Sequence, residues 1–464
     1  VNTLNELVGL ALKHAESMGA SLAEVRAQAV IAESVTVDNG VLKEFSRTLR
    51  AGIGVRVLYS GRYGFSATNT LSREAVLKAV ENAFSAARTS EEEVKPAERP
   101  SLKDRVESSV KVDPFTVPEE EKVTLVLDAN KAALQVPKIK SAVTRLGALE
   151  DFRRIVTSDG TDVTVRATMT GLMQLSVAVE AGAMERMHDL EGAVAGWEYI
   201  KSRDWGSFSK EVSATVAEAV SASTPPAGKF RVIADPRLIG LILHEAFGHA
   251  LEGDLVYSGA SVLAGKLGTQ VASPQVTIVD EGVVNGGYFV PYDDEGNRKG
   301  RTVVVEGGVL KSYLTSRATA SMLGAPVTGN GRAQDFASPP IVRQTNLYMV
   351  GGDWSLEEMI EDIEFGLYLT GRGAGGGQVD TAAGTFTFSV GPSRIIRKGE
   401  LAEMVRGVVV SGMVLETLKG VEAVGKDVKI RTSVFGGCGK EGQMVKVGFG
   451  GPHVRIKEVT VGGR

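Results

Sequence analysis

The chain is 464 residues long, with hydrophobic types at 43% against 23% charged, a balance that excludes a disordered tail or a fibrous repeat. Lysine plus arginine (52) nearly matches aspartate plus glutamate (56), and the formal net charge of −4 offers no electrostatic footprint for nucleic acid or an anionic membrane. One cysteine, Cys438, excludes an intramolecular disulfide and fits a reducing cytoplasm.

At roughly 150 residues per domain the length predicts about three units. The first residues, VNTLNELVGLALKHAES, carry helical periodicity over 3–18 and no signal-peptide core. Strands are predicted over 22–36 and 41–49, joined at Asp38-Asn39-Gly40, a strong hairpin signal. A further hairpin turns at Ser60-Gly61-Arg62, and a helix follows from the N-cap Ser72 to about Arg88. Residues 89–114 are charged and proline-bearing and read as a surface linker.

A helix near 117–136 opens the central unit, with Glu119 to Glu121 placed well against its dipole. Period-two segments run from 140 to 185 around a turn at Ser158-Asp159-Gly160, and another helix spans 204–222. The string STPPAG at 223–228 ends it, because adjacent prolines cannot continue a helix. The rest is rich in glycine and in predicted hairpins, as in TVVVEGGVLKSYLTS and TFTFSVGPSRIIRKGELAEMVRGVVVSG. The expected class is α+β: antiparallel strand-rich units with packed helices and a carboxy-terminal region dominated by β-hairpins. The expected domains are 1–108, 109–226 and 227–464.

The chemistry is concentrated in FRVIADPRLIGLILHEAFGHALEGD, residues 230–254. Asp235 is a good N-cap and Pro236 suits the first helical position. The helix that follows carries His244, Glu245 and His249, an arrangement close to the H-E-x-x-H of zinc hydrolases. There, imidazoles hold the metal and the carboxylate takes a proton from the attacking water. Here the second histidine comes one residue late. On a regular α-helix, positions five apart diverge by about 140°, so the spacing predicts a π-type turn between the two, with Gly248 weakening the helix at the point of distortion.

A catalytic zinc needs a third protein ligand. Glu252 and Asp254 are nearest in sequence; Cys438, in the glycine-flanked FGGCGKEGQ, offers a strong thiolate. Spacing alone leaves Cys438 only slightly ahead of Glu252. Other motifs carry less. Gly371, Gly373 and Gly376 satisfy G-x-G-x-x-G, but the residues after them predict a turn and a strand, not the helix a dinucleotide requires; a loop beside an extended peptide is the better reading. YDDEGN at 292–297 reads as a solvated turn, and His188 and His453 as surface or packing residues.

These strings identify a resemblance. HEAFGHALEGD at 244–254, GRGAGGGQVD at 371–380, GGCGKEGQ at 436–443 and the closing VTVGG at 459–463 resemble the TldD/PmbA (TldD/TldE) family, on its TldD side. AGIGVRVLYSGRYGFSATNTLS and PIVRQTNLYM are similar to it as well, so the likeness spans nearly the whole chain. The resemblance implies a zinc metallopeptidase acting on peptides and unfolded segments. It implies one zinc held by His244, His249 and Cys438, with Glu245 as the catalytic glutamate. It also implies a heterodimer with a TldE-like homologous subunit around an enclosed cavity, a homodimer being the alternative. A non-enzymatic binding subunit, in line with the family's older name as a modulator of DNA gyrase, is the competing expectation.

Overall fold

A computed structural model describes residues 2–463. Helix α1 (Asn2–Ser17) buries Leu4, Leu7, Val8, Ala11 and Ala15 against two long strands, β1 (Leu22–Asp38) and β2 (Val41–Tyr59). The turn between them places Asn39 and Gly40 at φ of 49° and 78°, the left-handed geometry that matches strand twist. β3 (Arg62–Thr68) and α2 (Arg73–Thr89) follow, with the Ser72 hydroxyl accepting from the Ala75 amide. The segment expected to be a linker holds a strand, β4 (Lys103–Glu107). Next come α3 (Glu119–Leu134), β5 (Ile139–Thr157), β6 (Asp162–Glu180), β7 (Ala183–Ala193), α4 (Trp197–Lys201) and α5 (Trp205–Ala219).

These strands make one sheet, ordered β3-β2-β1-β5-β6-β4, with β7 pairing β6. β1 and β5 pair antiparallel from Glu24↔Thr157 to Asp38↔Val143, so strands of the first and central segments share one hydrogen-bonded ladder. The linker strand β4 joins β6 in parallel, a non-local pairing that charge and proline content do not encode.

β8 (Gly228–Ala234) begins a second strand-rich region, lying between Val454–Gly463 and Phe365–Leu369 in a nine-stranded sheet. A six-stranded sheet runs through Ile278–Glu281, Asn346–Met349 and Gly448–Gly451 to its edge strand Lys429–Thr432. Helix α6 (Pro236–Ile242) follows β8 and is packed in a core supplied by both sheets, including Val232, Leu347, Met349, Leu367 and Val461. Of the predicted hairpins, Ser393–Arg397 pairs with Glu400–Val405, but Thr385–Ser389 pairs with Val408–Met413 around it. The mix of helices with mainly antiparallel sheets is α+β, and no helix among the described residues is long and apolar enough to cross a membrane.

One surface expectation is corrected. The YDDEGN turn is buried: Asp293 and Glu295 are each 1% exposed. Glu295 pairs with Arg56 of β2 at 2.7 Å and Asp294 with Arg153 of β5 at 2.6 Å. Burial and the neighbouring Glu295 carboxylate hold Asp293 above the usual carboxylate range. Acidic residues before a glycine predict a solvated turn because nothing local announces their arginine partners, which come from strands far away in sequence.

Candidate metal centre

The centre starts from the Asp235 carboxylate. Its Oδ1 accepts the Leu238 amide at 2.7 Å and so caps α6; the same oxygen accepts the Gly371 amide at 2.9 Å, and Oδ2 accepts the Thr370 hydroxyl at 2.8 Å. One side chain therefore fixes both the helix start and the glycine-rich loop. After Ile242 the helix widens into a π-turn over Leu243–Gly248 and tightens into a 3-10 turn over His249–Leu251. The spacing of the histidines predicted this distortion, and it brings their ring centroids to 5.4 Å.

Gly248 has a second role that propensity did not reveal. A Cβ there would stand 2.1 Å from the Gln344 side chain, which is buried and donates through Nε2 to the His244 carbonyl oxygen at 2.9 Å. The missing side chain leaves room for the group that satisfies a carbonyl of the distorted turn.

Cys438 arrives on a short hairpin, Cys438–Lys440 paired with Gln443–Val445. One donor atom each from His244, His249 and Cys438 lie within 4.8 Å of one another. His249 Nε2 is 3.3 Å from Cys438 Sγ, and its Nδ1 is 3.1 Å from Glu252 Oε2. A carboxylate only accepts, so Nδ1 carries a hydrogen, and this turns Nε2 toward the sulfur. Among the described residues, His244 Nδ1 is buried without a hydrogen-bond partner. Two imidazoles and a thiol, largely buried, with one imidazole oriented by a carboxylate, fit the ligand chemistry of a divalent zinc-like ion. Glu252, the alternative third ligand, instead lies behind His249, fully buried.

The electrostatics place a thiolate beside a protonated imidazole, whose Nε2 proton a metal ion would displace on binding. Burial pushes the Cys438 thiol up, but His244 and His249 outweigh it and bring it down to about 5, toward the ligating thiolate. Burial pushes His249 down, and Glu252 with Cys438 outweighs it, raising His249 to about 10.

Glu245 is part-exposed, with Oε2 3.9 Å from His249 Nε2, and lines a cavity of about 350 Å³ together with His244 and Cys438. Gly371, Gly373 and Gly376 line the same cavity, and Gly376 begins the strand Gly376–Asp380, the element predicted there in place of a helix. His188 on β7 is exposed at the surface, in line with its sequence context, and with Asp189 it forms a wall of this cavity. Asp189 pairs with Arg237 of α6 and, at 2.6 Å, with Arg372, which joins the edge of the amino-terminal sheet to the metal-centre helix. His453 stands elsewhere, held between Tyr368 and Asp427. Sequence reasoning also missed Lys440, which reaches Glu252 at 2.9 Å. Its signal was the two-residue step from Cys438, which puts both side chains on one face of a strand.

Comparison with known proteins gives matches along most of the chain. Residues 227–463 match the PmbA/TldA metallopeptidase C-terminal domain, residues 23–87 its domain 1 and residues 112–222 its central domain. A protein named metalloprotease from Methanothermobacter thermautotrophicus is 39% identical, covering 95% of each chain. A zinc metalloprotease TldD homolog from Saccharolobus solfataricus is 30% identical, over 97% of this chain and 99% of its own. Among solved structures, TldE from Thermococcus kodakarensis superimposes with a TM-score of 0.80 at 19% identity, over 99% of this chain and all of its own, a likeness of fold.

Proposed function

Because the chain belongs to the PmbA/TldD metallopeptidase family, we propose that it is a zinc-dependent peptidase that hydrolyses peptide bonds in peptides or unfolded protein segments. In this reading His244, His249 and Cys438 hold one zinc ion and Glu245 is the general base. The observation that carries it is the convergence of two imidazoles and a distant thiol beside Glu245 at a cavity wall. When bound, zinc would supply Lewis acidity to the substrate carbonyl and to water.

The chain's own residues do the rest. Glu245 accepts a proton from water as the oxygen attacks the carbonyl carbon. It then delivers that proton to the departing amine nitrogen, so the carboxylate ends as it began. The glycine loop leaves backbone bare along the cavity, where an extended segment can lie close. Glu252 keeps the His249 ring turned with Nε2 toward Cys438. The proposal includes a second subunit, a TldE-like homologue or otherwise a second copy, and a cytoplasmic setting in which the lone buried thiol stays reduced.

A zinc-edge anomalous map of crystals should show one peak among the three side chains; a zinc bound elsewhere overturns the ligand set. Glu245→Gln is expected to keep its zinc and lose peptide hydrolysis by about 10²–10⁴-fold, and a fully active variant removes the general-base assignment. Metal-replete protein that binds peptides but cleaves none, alone or with a homologous subunit, would return the chain to a binding role. Light scattering with and without that subunit decides the assembly.

A further inference from the structure

Cys438 reaches His249 from 189 residues away, on two strands that among the described residues pair only with each other. A two-stranded hairpin has little stability of its own, so its position must be imposed by other contacts. Arg343, fully buried, donates to the Cys438 carbonyl oxygen at 2.5 Å and to the Gln443 carbonyl oxygen at 3.1 Å, which fixes the hairpin to the segment between the strands Ile341–Val342 and Asn346–Met349. Lys440 reaches the helix. Its Nζ lies 2.9 Å from Glu252 Oε2, 2.5 Å from Asp254 Oδ2 and 3.1 Å from the Val342 carbonyl oxygen.

Glu252 Oε2 is the same oxygen that accepts His249 Nδ1 at 3.1 Å. Lys440 is two residues from Cys438, and Glu252 three from His249, with its amide bonded to the His249 carbonyl oxygen at 3.2 Å. The path Cys438–Lys440···Glu252···His249 closes a ring around the 3.3 Å contact of sulfur with imidazole. Both links are shielded, with the Lys440 side chain 9% and Glu252 0% exposed, so water does not compete for them.

We propose that Lys440 and Glu252 are positioning residues that set the approach of Cys438 to His249 and so organise the metal site before a metal enters it. The inference rests on His244, His249 and Cys438 being the ligand set. An ion pair present only to neutralise buried charge would contribute to folding and leave metal affinity alone. A clasp between the two halves of a ligand set acts on affinity, and partners behind metal ligands change it by about 10–100-fold.

The test uses the full chain, zinc affinity from chelator competition, and the thiolate-to-cobalt charge-transfer band of the cobalt-substituted protein. Lys440→Met is expected to weaken zinc binding ten- to a hundredfold, on the order typical of such partners, and to diminish the band; Lys440→Arg should restore most of both. Should Lys440→Met fail to fold with Glu252 left unpaired, the double variant Lys440→Met/Glu252→Gln, which removes both charges, carries the decision. Zinc affinity and a band equal to wild type in the folded variant overturn the clasp. A wild-type protein with neither zinc affinity nor the band overturns the ligand set itself, and the clasp with it.

Discussion

Burial opposes charge at both Cys438 and Lys446, and the neighbours decide the outcome differently. At Cys438 two imidazoles outweigh burial. Lys446 has no carboxylate partner among the described residues; it donates to the Val434 and Gly436 carbonyl oxygens at 2.6 Å, and burial lowers its pKa to about 8. Above about pH 8 the folded lysine is therefore neutral while the unfolded one, near 10.5, stays charged. The folded state then binds fewer protons, so this residue's contribution to stability rises with pH between those values. Thermal unfolding of wild type and Lys446→Met across pH 7.5–10.5 (about the window between the two pKa values) should show wild type gaining on the variant as pH rises. Cys438→Ser tests the ligand role. A hydroxyl is a poor replacement for a thiolate, and zinc affinity should fall by more than the about 10–100-fold expected of an outer partner. Metal content after dialysis, read by mass spectrometry, checks this; an unchanged content would return attention to Glu252.

At the scale of the element, the metal-centre helix shows two glycines used for closeness. Gly240 lies against the strand Gly448–Gly451, where an added Cβ would stand 2.7 Å from Gly450 backbone atoms. Backbone cannot rotate aside as a side chain can, so Gly240→Ala should destabilise the fold by about 1–3 kcal/mol through overpacking, measured by urea unfolding. Apolar runs and an aspartate cap made this helix legible in sequence, and so did the conflict between a five-residue histidine spacing and α-helical geometry. The same string could not show that Gly240 meets Gly450 or that Gly248 leaves room for Gln344. Those contacts depend on which strand the helix lands on.

For the whole molecule, the junction between the amino-terminal sheet and the carboxy-terminal region is ionic where the sequence suggested a solvent turn. Arg56 lies between Glu24 and Glu295, with its side chain 8% exposed and that of Glu295 1% exposed. Glu295→Gln leaves a buried guanidinium with one counter-charge fewer and should destabilise the protein by about 3–5 kcal/mol in chemical denaturation. Adding Arg56→Met should recover part of that loss, because the penalty belongs to the stranded charge and not to the pair. Phe336 reinforces the junction by covering Gly52 of β2, which has no side chain in the way.

Local residue order sets the strand and helix periods, the hairpin at Asn39-Gly40, the cap at Asp235 and the need for a π-turn between His244 and His249. All of these are local, arising from backbone preference and side-chain spacing over a few residues. Tertiary structure alone decided that β4 joins β6, that the Asp293–Glu295 turn is buried on arginines, that His188 lines the cavity, and that Glu252 stands behind His249 while Cys438 meets it. Apart from Glu252 and His249, three residues from each other, these meetings join groups far apart in the chain, and they are fixed by how sheets and helices pack, which no short window of sequence contains.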